Sequence, residues 1–471
     1  MNCIDRLRKE FTMLKKNDII NLNIESVTNE GNGIGRHLGV PVFVPNTVAG
    51  EQATVQIVKV LKNYCYGIAK EITQTSTKRI EPSCSVAKRC GGCSLRHVTY
   101  DEELNYKEQW VTDAMRRLGK TQATILPIIG SPKENHYRNK AQYPFGKDDF
   151  GKTICGFYAK RSHHLIPSSS CDLQPTFFQN ICNIVCHYID ETNASIYNEA
   201  THTGLFKHLY IRFAEQTNEI MVCVVINGTS IPNPDLLVNN LLKNYPNIAS
   251  IQLNYNTKKT NVILGDTGSV LYGKNEITDI LCDIEIDISP LSFYQVNKQG
   301  AEKLYSVAEK FAEISDNTLF LDLYCGAGTI GLSILNKHKK AKLIGVEIIE
   351  NAVRNAQQNA ERAGLDNAEF ICSDAGTAAT ELAKKRITPE VIIVDPPRKG
   401  CDLNTINAIV AMKPQRVVMV SCNAATAARD IQLLEQSGYR AELVQPLDMF
   451  PRTIHVEAII LMTYCGDKAK N

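Results

Sequence analysis

The sequence predicts a multidomain protein: a small β-barrel at the front, an α+β region in the middle and a doubly wound α/β domain at the back. Three observations carry this. The chain has 471 residues, more than one ordinary core organises. Short β-rich runs separated by turn residues fill 19–73. From about residue 291 onward, apolar strands alternate with helical segments, the rhythm of a mainly parallel sheet. The boundaries follow as 1–75, 76–290 and 291–471, with a helical segment at 94–133 expected to pack on the last domain.

Composition is globular, with 44% apolar and 22% charged residues. The start, MNCIDRLRKE, is charged and leads into no apolar run of signal-peptide length. No eighteen-residue apolar stretch suggests a membrane span. A cytoplasmic location is therefore expected, in a compartment that keeps thiols reduced, and the chain is expected to act as a monomer. The 16 cysteines then read as free thiols, metal ligands or catalytic groups. Charge is uneven: residues 1–170 carry 25 Lys and Arg against 16 Asp and Glu, and the rest carry 27 against 34. A front of net +9 and a back of net −7 suggest that the front touches a polyanion.

In the front, IINLNIESV, VPVFV, QATVQIVKV and YCYGIAKEI read as strands, with NEGNGIG as a turn cluster. Residues 100–118 read as a helix, with Leu104, Trp110, Val111, Met115 and Leu118 at helical spacing. Just before it lies CSVAKRCGGC, which places Cys84, Cys90 and Cys93 at C-x5-C-x2-C spacing. That is three ligands where a tetrahedral or cubane site needs four, and Cys65, Cys155 and Cys171 are the nearby candidates for the fourth. Four thiolates suit either zinc or an iron–sulfur cluster. Strands such as LYIRFAE and EIMVCVVI follow in the middle region.

In the back, LFLDLYCGAGTIGLSIL is an apolar strand, a glycine turn and a helix start. Gly326, Gly328 and Gly331 let the backbone turn tightly and approach a cofactor closely. Glu347 ends the next strand, where an acid binds ribose hydroxyls. The glycine motif alone does not separate NAD from S-adenosylmethionine. VIIVDPPRKG sets Asp395 just past a buried strand, RVVMVSCN brings Cys422 to the same edge, and HVEAIILM places Glu457 at the start of another strand. A cysteine after an apolar strand is ordinarily a small buried hydrophobe, and an Asp before Pro-Pro is often a turn former. Their gathering at one sheet edge shifts the reading towards chemistry.

At these residues the chain resembles the RNA uracil-5-methyltransferases that use S-adenosylmethionine. FYQVN at 293–297, DLYCGAGTIGL at 322–332, DPPRKG at 395–400, SCN at 421–423 and HVE at 455–457 look like that family's motifs, in its order. The resemblance covers nearly the whole chain. It implies a Rossmann-like methyltransferase domain at the back and an OB-like TRAM domain at the front that binds RNA. It implies that Gln295, Tyr324, Glu347 and Asp395, with Gly326 and Gly328, bind S-adenosylmethionine. Cys422 matches the nucleophile, Glu457 the general base and Phe293 an aromatic on the substrate RNA. The cysteine group resembles the [4Fe-4S] site of the branch that modifies bacterial 23S ribosomal RNA. That selects Cys171 as the fourth ligand and leaves zinc as the runner-up. The transfer-RNA branch generally lacks both the cluster and the TRAM domain.

The residue types suit the reaction. Carbon 5 of uracil is a poor nucleophile until a thiolate adds to carbon 6 and pushes electron density onto it. After methylation, a base must remove the carbon 5 proton so that the thiolate leaves. The target base must leave its stack to be reached. This chemistry needs no electron, so a metal site would be a staple between 84–93 and the segment around Cys171. Two rivals are weaker. Radical methylthiotransferases join a cluster to a TRAM domain, but their cluster motif is C-x3-C-x2-C. A non-catalytic RNA-binding ribosome-assembly factor would have no use for intact Cys422 and Glu457.

Overall fold

The computed structural model describes residues 14–160, 162–167 and 170–466; the charged start at 1–10 lies outside them. A curved six-stranded sheet forms the front. Its strands run in the spatial order Ile19–Asn23, Gln52–Val60, Cys65–Gln74, Val40–Pro45, Asn32–His37, Ser26–Val27. Alternation along IINLN and QATVQIV points Ile20, Leu22, Val55 and Ile57 inward, where they meet Val42 and Val44.

The middle is a seven-stranded mixed sheet over Lys140–Gly273 with helices Phe177–Glu191 and Pro234–Asn244 packed against it. A two-stranded ribbon, Ile277–Leu281 with Ile284–Ile288, connects it to the back.

The back domain is an eight-stranded sheet. We number seven of its strands β1 (Leu319–Leu323), β2 (Lys342–Glu347), β3 (Ala368–Cys372), β4 (Val391–Val394), β5 (Arg416–Ser421), β6 (Tyr439–Leu447) and β7 (Glu457–Tyr464). Their spatial order is β3-β2-β1-β4-β5-β7-β6, with Thr124–Ile125 added beyond β6. Strands β1 to β5 are parallel, whereas β7 runs antiparallel between β5 and β6. Separate apolar clusters line the two faces, as a sheet covered by helices on both sides requires.

The helix anticipated over 100–118 is present as an α-helix, Tyr100–Asp113, running into a π-helical turn, Ala114–Gly119. Its buried face differs from the apolar stripe read from the sequence. Glu103 and Lys107 are fully buried and Leu118 is 55% exposed. Burial of the two charges is sustained by pairing: Lys107 Nζ meets Glu103 Oε1 at 2.7 Å and Asp448 Oδ1 at 2.8 Å.

Candidate active site

Ligands of open α/β sheets collect at the carboxyl ends of the parallel strands. Four such ends converge here: the glycine turn after β1, Glu347 on β2, Asp395 after β4 and Cys422 after β5. Strand β7 is antiparallel, so its first residue, not its last, lies at this edge. Ser421 pairs with Ala458, which brings Cys422 and Glu457 side by side at the open end of that ladder.

The glycine turn is built to receive a ligand. Tyr324, Gly326 and Gly328 have φ of 67°, 56° and 75°, and a Cβ added at Gly326 would meet no atom within 4 Å. Gly326 N–H donates to Glu347 Oε2 at 3.1 Å. Beneath the turn, Asp322 is fully buried; one oxygen accepts from Gly331 N–H at 2.9 Å and the other has no partner. Burial pushes its carboxyl up to about 7. Helix Lys298–Ala312 closes the turn through Tyr305, whose hydroxyl meets Thr329 Oγ1 at 2.9 Å. Gln295 lies just ahead of that helix, and Asn139 Nδ2 donates to its carbonyl at 2.8 Å. Phe293 is 71% exposed, with its ring free of the core.

The reactive end is held by side chains of its own motifs. Asn423 caps the helix Ala424–Gln436, accepting from Ala425 N–H at 3.1 Å, while its Nδ2 donates to the Arg398 carbonyl at 3.1 Å. The SCN and DPPR segments are thereby tied together. Glu457 is 7% exposed, and burial followed by repulsion from Asp395 raises its carboxyl to about 8, with Arg398 opposing. Burial also raises Asp395 to about 7. The Cys422 thiol is pushed up by burial and then by Glu457 and Asp395, again against Arg398. Arg398 and His455 belong to this group although the motif reading singled out only Asp395, Cys422 and Glu457. Their signal was their place inside DPPR and HVE. Burial depresses His455 to about 4, so its imidazole is neutral.

Cys422, Asn423, Arg398 and His455 open onto a cleft of about 730 Å³. Its far wall comes from the front domain, with Glu25, Val27 and Arg36, and from the 100–119 helix, with Trp110 and Arg117. Trp110 Nε1 donates to the Val27 carbonyl at 2.8 Å and fixes that wall.

The other predicted group lies apart. Cys84, Cys90, Cys93 and Cys171 line one cavity of about 120 Å³, together with Arg96, Arg138 and Gln174. Among the described residues no three metal-ligating side chains are drawn into ligating geometry. The donor set nonetheless fits a soft metal centre. Four thiols share the cavity, and Arg96 Nη2, Arg138 Nε and Gln174 Oε1 are buried there without partners. Cys65 sits in the front-domain core and Cys155 in the middle-domain core, so neither reaches this cavity.

A family model described as tRNA (uracil-5-)-methyltransferase matches residues 99–464, and one described as TRAM domain matches 14–70. An uncharacterized RNA methyltransferase of Clostridium tetani is 42% identical over 98% of this chain and 100% of its own length. Another, of Caldanaerobacter subterraneus, is 41% identical over 94% of this chain and 97% of its own. Among solved structures, the Pyrococcus abyssi tRNA (uracil-54, C5)-methyltransferase in complex with S-adenosyl-L-homocysteine superposes with a TM-score of 0.75. It is 25% identical, covering 94% of this chain and 100% of that one.

Proposed function

We propose 23S ribosomal RNA as the substrate of this chain, which belongs to the tRNA (uracil-5-)-methyltransferase family, whose reaction is the S-adenosylmethionine-dependent methylation of uracil carbon 5 in RNA; the TRAM match at 14–70 and the cavity shared by Cys84, Cys90, Cys93 and Cys171 support that substrate. The observation that supports the site assignment is the register of β5 and β7, which sets Cys422, on the edge of the cleft, beside the buried Glu457.

S-adenosylmethionine, when bound, supplies an electrophilic methyl group. Gln295, Tyr324, Gly326, Gly328, Glu347 and Asp395 would hold it, with Glu347 placed to bind the ribose hydroxyls. A uridine flipped from its stack enters the cleft, where Phe293 contacts the RNA. The Cys422 thiolate bonds to carbon 6, and the ring's displaced electron pair makes carbon 5 the nucleophile that accepts the methyl group, whose bond to the donor's sulfonium sulfur breaks to leave S-adenosylhomocysteine. Glu457 then takes the carbon 5 proton, the carbon 6–sulfur bond breaks, and the thiolate returns. Asp395 and Arg398 flank the ring as hydrogen-bonding and charged groups. Cys84, Cys90, Cys93 and Cys171 would hold a [4Fe-4S] cluster that staples the segments around 84–93 and 171.

Transfer RNA is the second reading, favoured by the superposition on the Pyrococcus abyssi enzyme. The test offers unmodified 23S ribosomal RNA and transfer RNA separately with a methyl-labelled donor. Label entering ribosomal uracil is expected; label entering only transfer RNA would overturn the substrate assignment. Anaerobically purified protein should carry iron and sulfide at about four each per chain, as a cubane site requires. Stoichiometric zinc without sulfide would overturn the cluster.

A further inference from the structure

Arg452 breaks a backbone rule. It is a non-glycine residue at φ 69° and only 6% exposed. A strained residue persists where its surroundings over-determine it, and such residues gather at functional sites.

Ser94 and Leu95 N–H both donate to the Arg452 carbonyl, at 2.9 and 3.1 Å. Arg452 N–H donates to Glu103 Oε1 at 2.7 Å, and Nη1 donates to the Val98 carbonyl at 3.0 Å. Nη2 pairs with Glu134. The Tyr137 hydroxyl donates to the preceding carbonyl, Pro451, at 3.0 Å. Two of these holds begin at the cysteine cavity: Ser94 and Leu95 follow Cys93 directly, and Tyr137 precedes the cavity-lining Arg138.

Downstream, the strained residue sits in a closed turn. Thr453 Oγ1 donates to the Phe450 carbonyl at 2.7 Å and accepts from His455 N–H at 3.3 Å. The Phe450 ring meets the His455 ring edge-on, with centroids 5.9 Å apart. Gly31 of the front domain presses on the same turn: a Cβ there would lie 2.9 Å from Ile454 Cγ2 and 3.2 Å from Ser94 Cβ. His455 lines the Cys422 cleft, and Glu457 follows two residues later.

We propose that the cysteine site positions the general base: by fixing Ser94 and Leu95 it holds Arg452 in its left-handed conformation, and the 450–456 turn then aims His455 and Glu457 at Cys422. Tyr137 is the second positioning residue of this clamp. The proposal rests on the cysteine-site and Glu457 readings above. It makes the metal site act on proton removal, not on cofactor binding.

The test compares the full-length protein before and after anaerobic metal removal by chelation with a Tyr137→Phe variant, which loses only a hydroxyl. Three quantities are read: amide hydrogen exchange over 450–457, the fraction of enzyme stalled as a methylated covalent RNA adduct, and affinity for S-adenosylhomocysteine. Both perturbations should speed exchange in that turn and raise the stalled fraction roughly tenfold, the scale of one lost buried hydrogen bond. Affinity for S-adenosylhomocysteine should stay within about twofold. Unchanged exchange and an unchanged stalled fraction in Tyr137→Phe would overturn the clamp, as would a loss of RNA affinity alone. Wild-type protein without metal would overturn both the cluster reading and the metal's part in the clamp, and Tyr137→Phe would then decide whether the 84–138 segments position the turn on their own. Failure of Glu457→Gln to accumulate adduct would sink the base assignment, leaving the exchange data to decide.

Discussion

At the scale of single residues, the site sets two acids and a thiol against each other. Glu457, held near 8 by burial and by Asp395, is a stronger base than an ordinary carboxylate once ionised. Cys422→Ala should give neither methylation nor adduct, whereas Glu457→Gln should methylate and then stall as a covalent protein–RNA species on denaturing gels. Folding gives an independent check. Glu457 rises from 4.5 to about 8 on folding, so the folded state favours its protonated form. That contribution is complete below pH 4.5 and is lost as pH rises through 8. Glu457→Gln removes the loss. Its melting temperature should match wild type at about pH 5 and exceed it by a few degrees at about pH 8.5. Equal melting temperatures at both pH values would contradict the raised acid. The gathering of Asp395, Cys422 and Glu457 at one sheet edge could be read from the sequence because each lies at a strand end within a short motif. Arg452 and Tyr137 could not, because their importance lies in contacts with segments more than three hundred residues away in the chain.

At the scale of elements, the helix Tyr100–Asp113 shows where pattern reading stops. Its existence followed from spacing, but its buried face did not. A periodic reading puts Glu103 and Lys107 outside because it cannot see Asp448 and Arg452 approaching from the last domain. Lys107 also donates to the Phe450 carbonyl at 3.2 Å, so the helix, β6 and the turn before Glu457 share one buried charged group. Lys107→Met should cost about 3–5 kcal/mol, because it leaves Asp448 buried without its cation and Glu103 with only the more distant Arg452 guanidinium. Chemical denaturation measures this; a cost below about 1 kcal/mol would show that the acids are protonated or hydrated instead. The strand order of the last sheet is likewise a tertiary fact. Alternating strands and helices implied a parallel sheet, but the antiparallel insertion of β7 between β5 and β6 depends on which strands meet.

For the whole molecule, the cleft joins three parts of the chain that the sequence had separated. The basic excess of residues 1–170 supplies Arg36 and Arg117 to the wall opposite Cys422. Arg117 is 76% exposed, and its ion pair with Asp113 at 3.3 Å is a surface pair of little strength. Arg117→Ala should therefore weaken RNA binding severalfold on any sequence and lower the magnitude of the salt slope by about 1, with cofactor affinity unchanged. An unaltered slope would remove Arg117 from the phosphate path. The front, middle and back regions were apparent from composition and rhythm. Their convergence was not, because Trp110 reaching Val27 and Gly31 pressing on Ile454 are packing events without a periodic signature.

The pairing of β5 with β7 also bears on how this protein tolerates change. A strand ladder works as a ruler with a step of about 3.3 Å, and an odd step turns every side chain to the opposite face. Cys422 and Glu457 are set by the same ruler, one from each rail. An inserted or deleted residue within Arg416–Ser421 or Glu457–Tyr464 would thus separate the pair even if the sheet survived. Loops at the cleft's outer rim carry no such constraint. A change of length is thus felt differently in these two strands than in the loops around the cleft, where it moves no rung of the ladder.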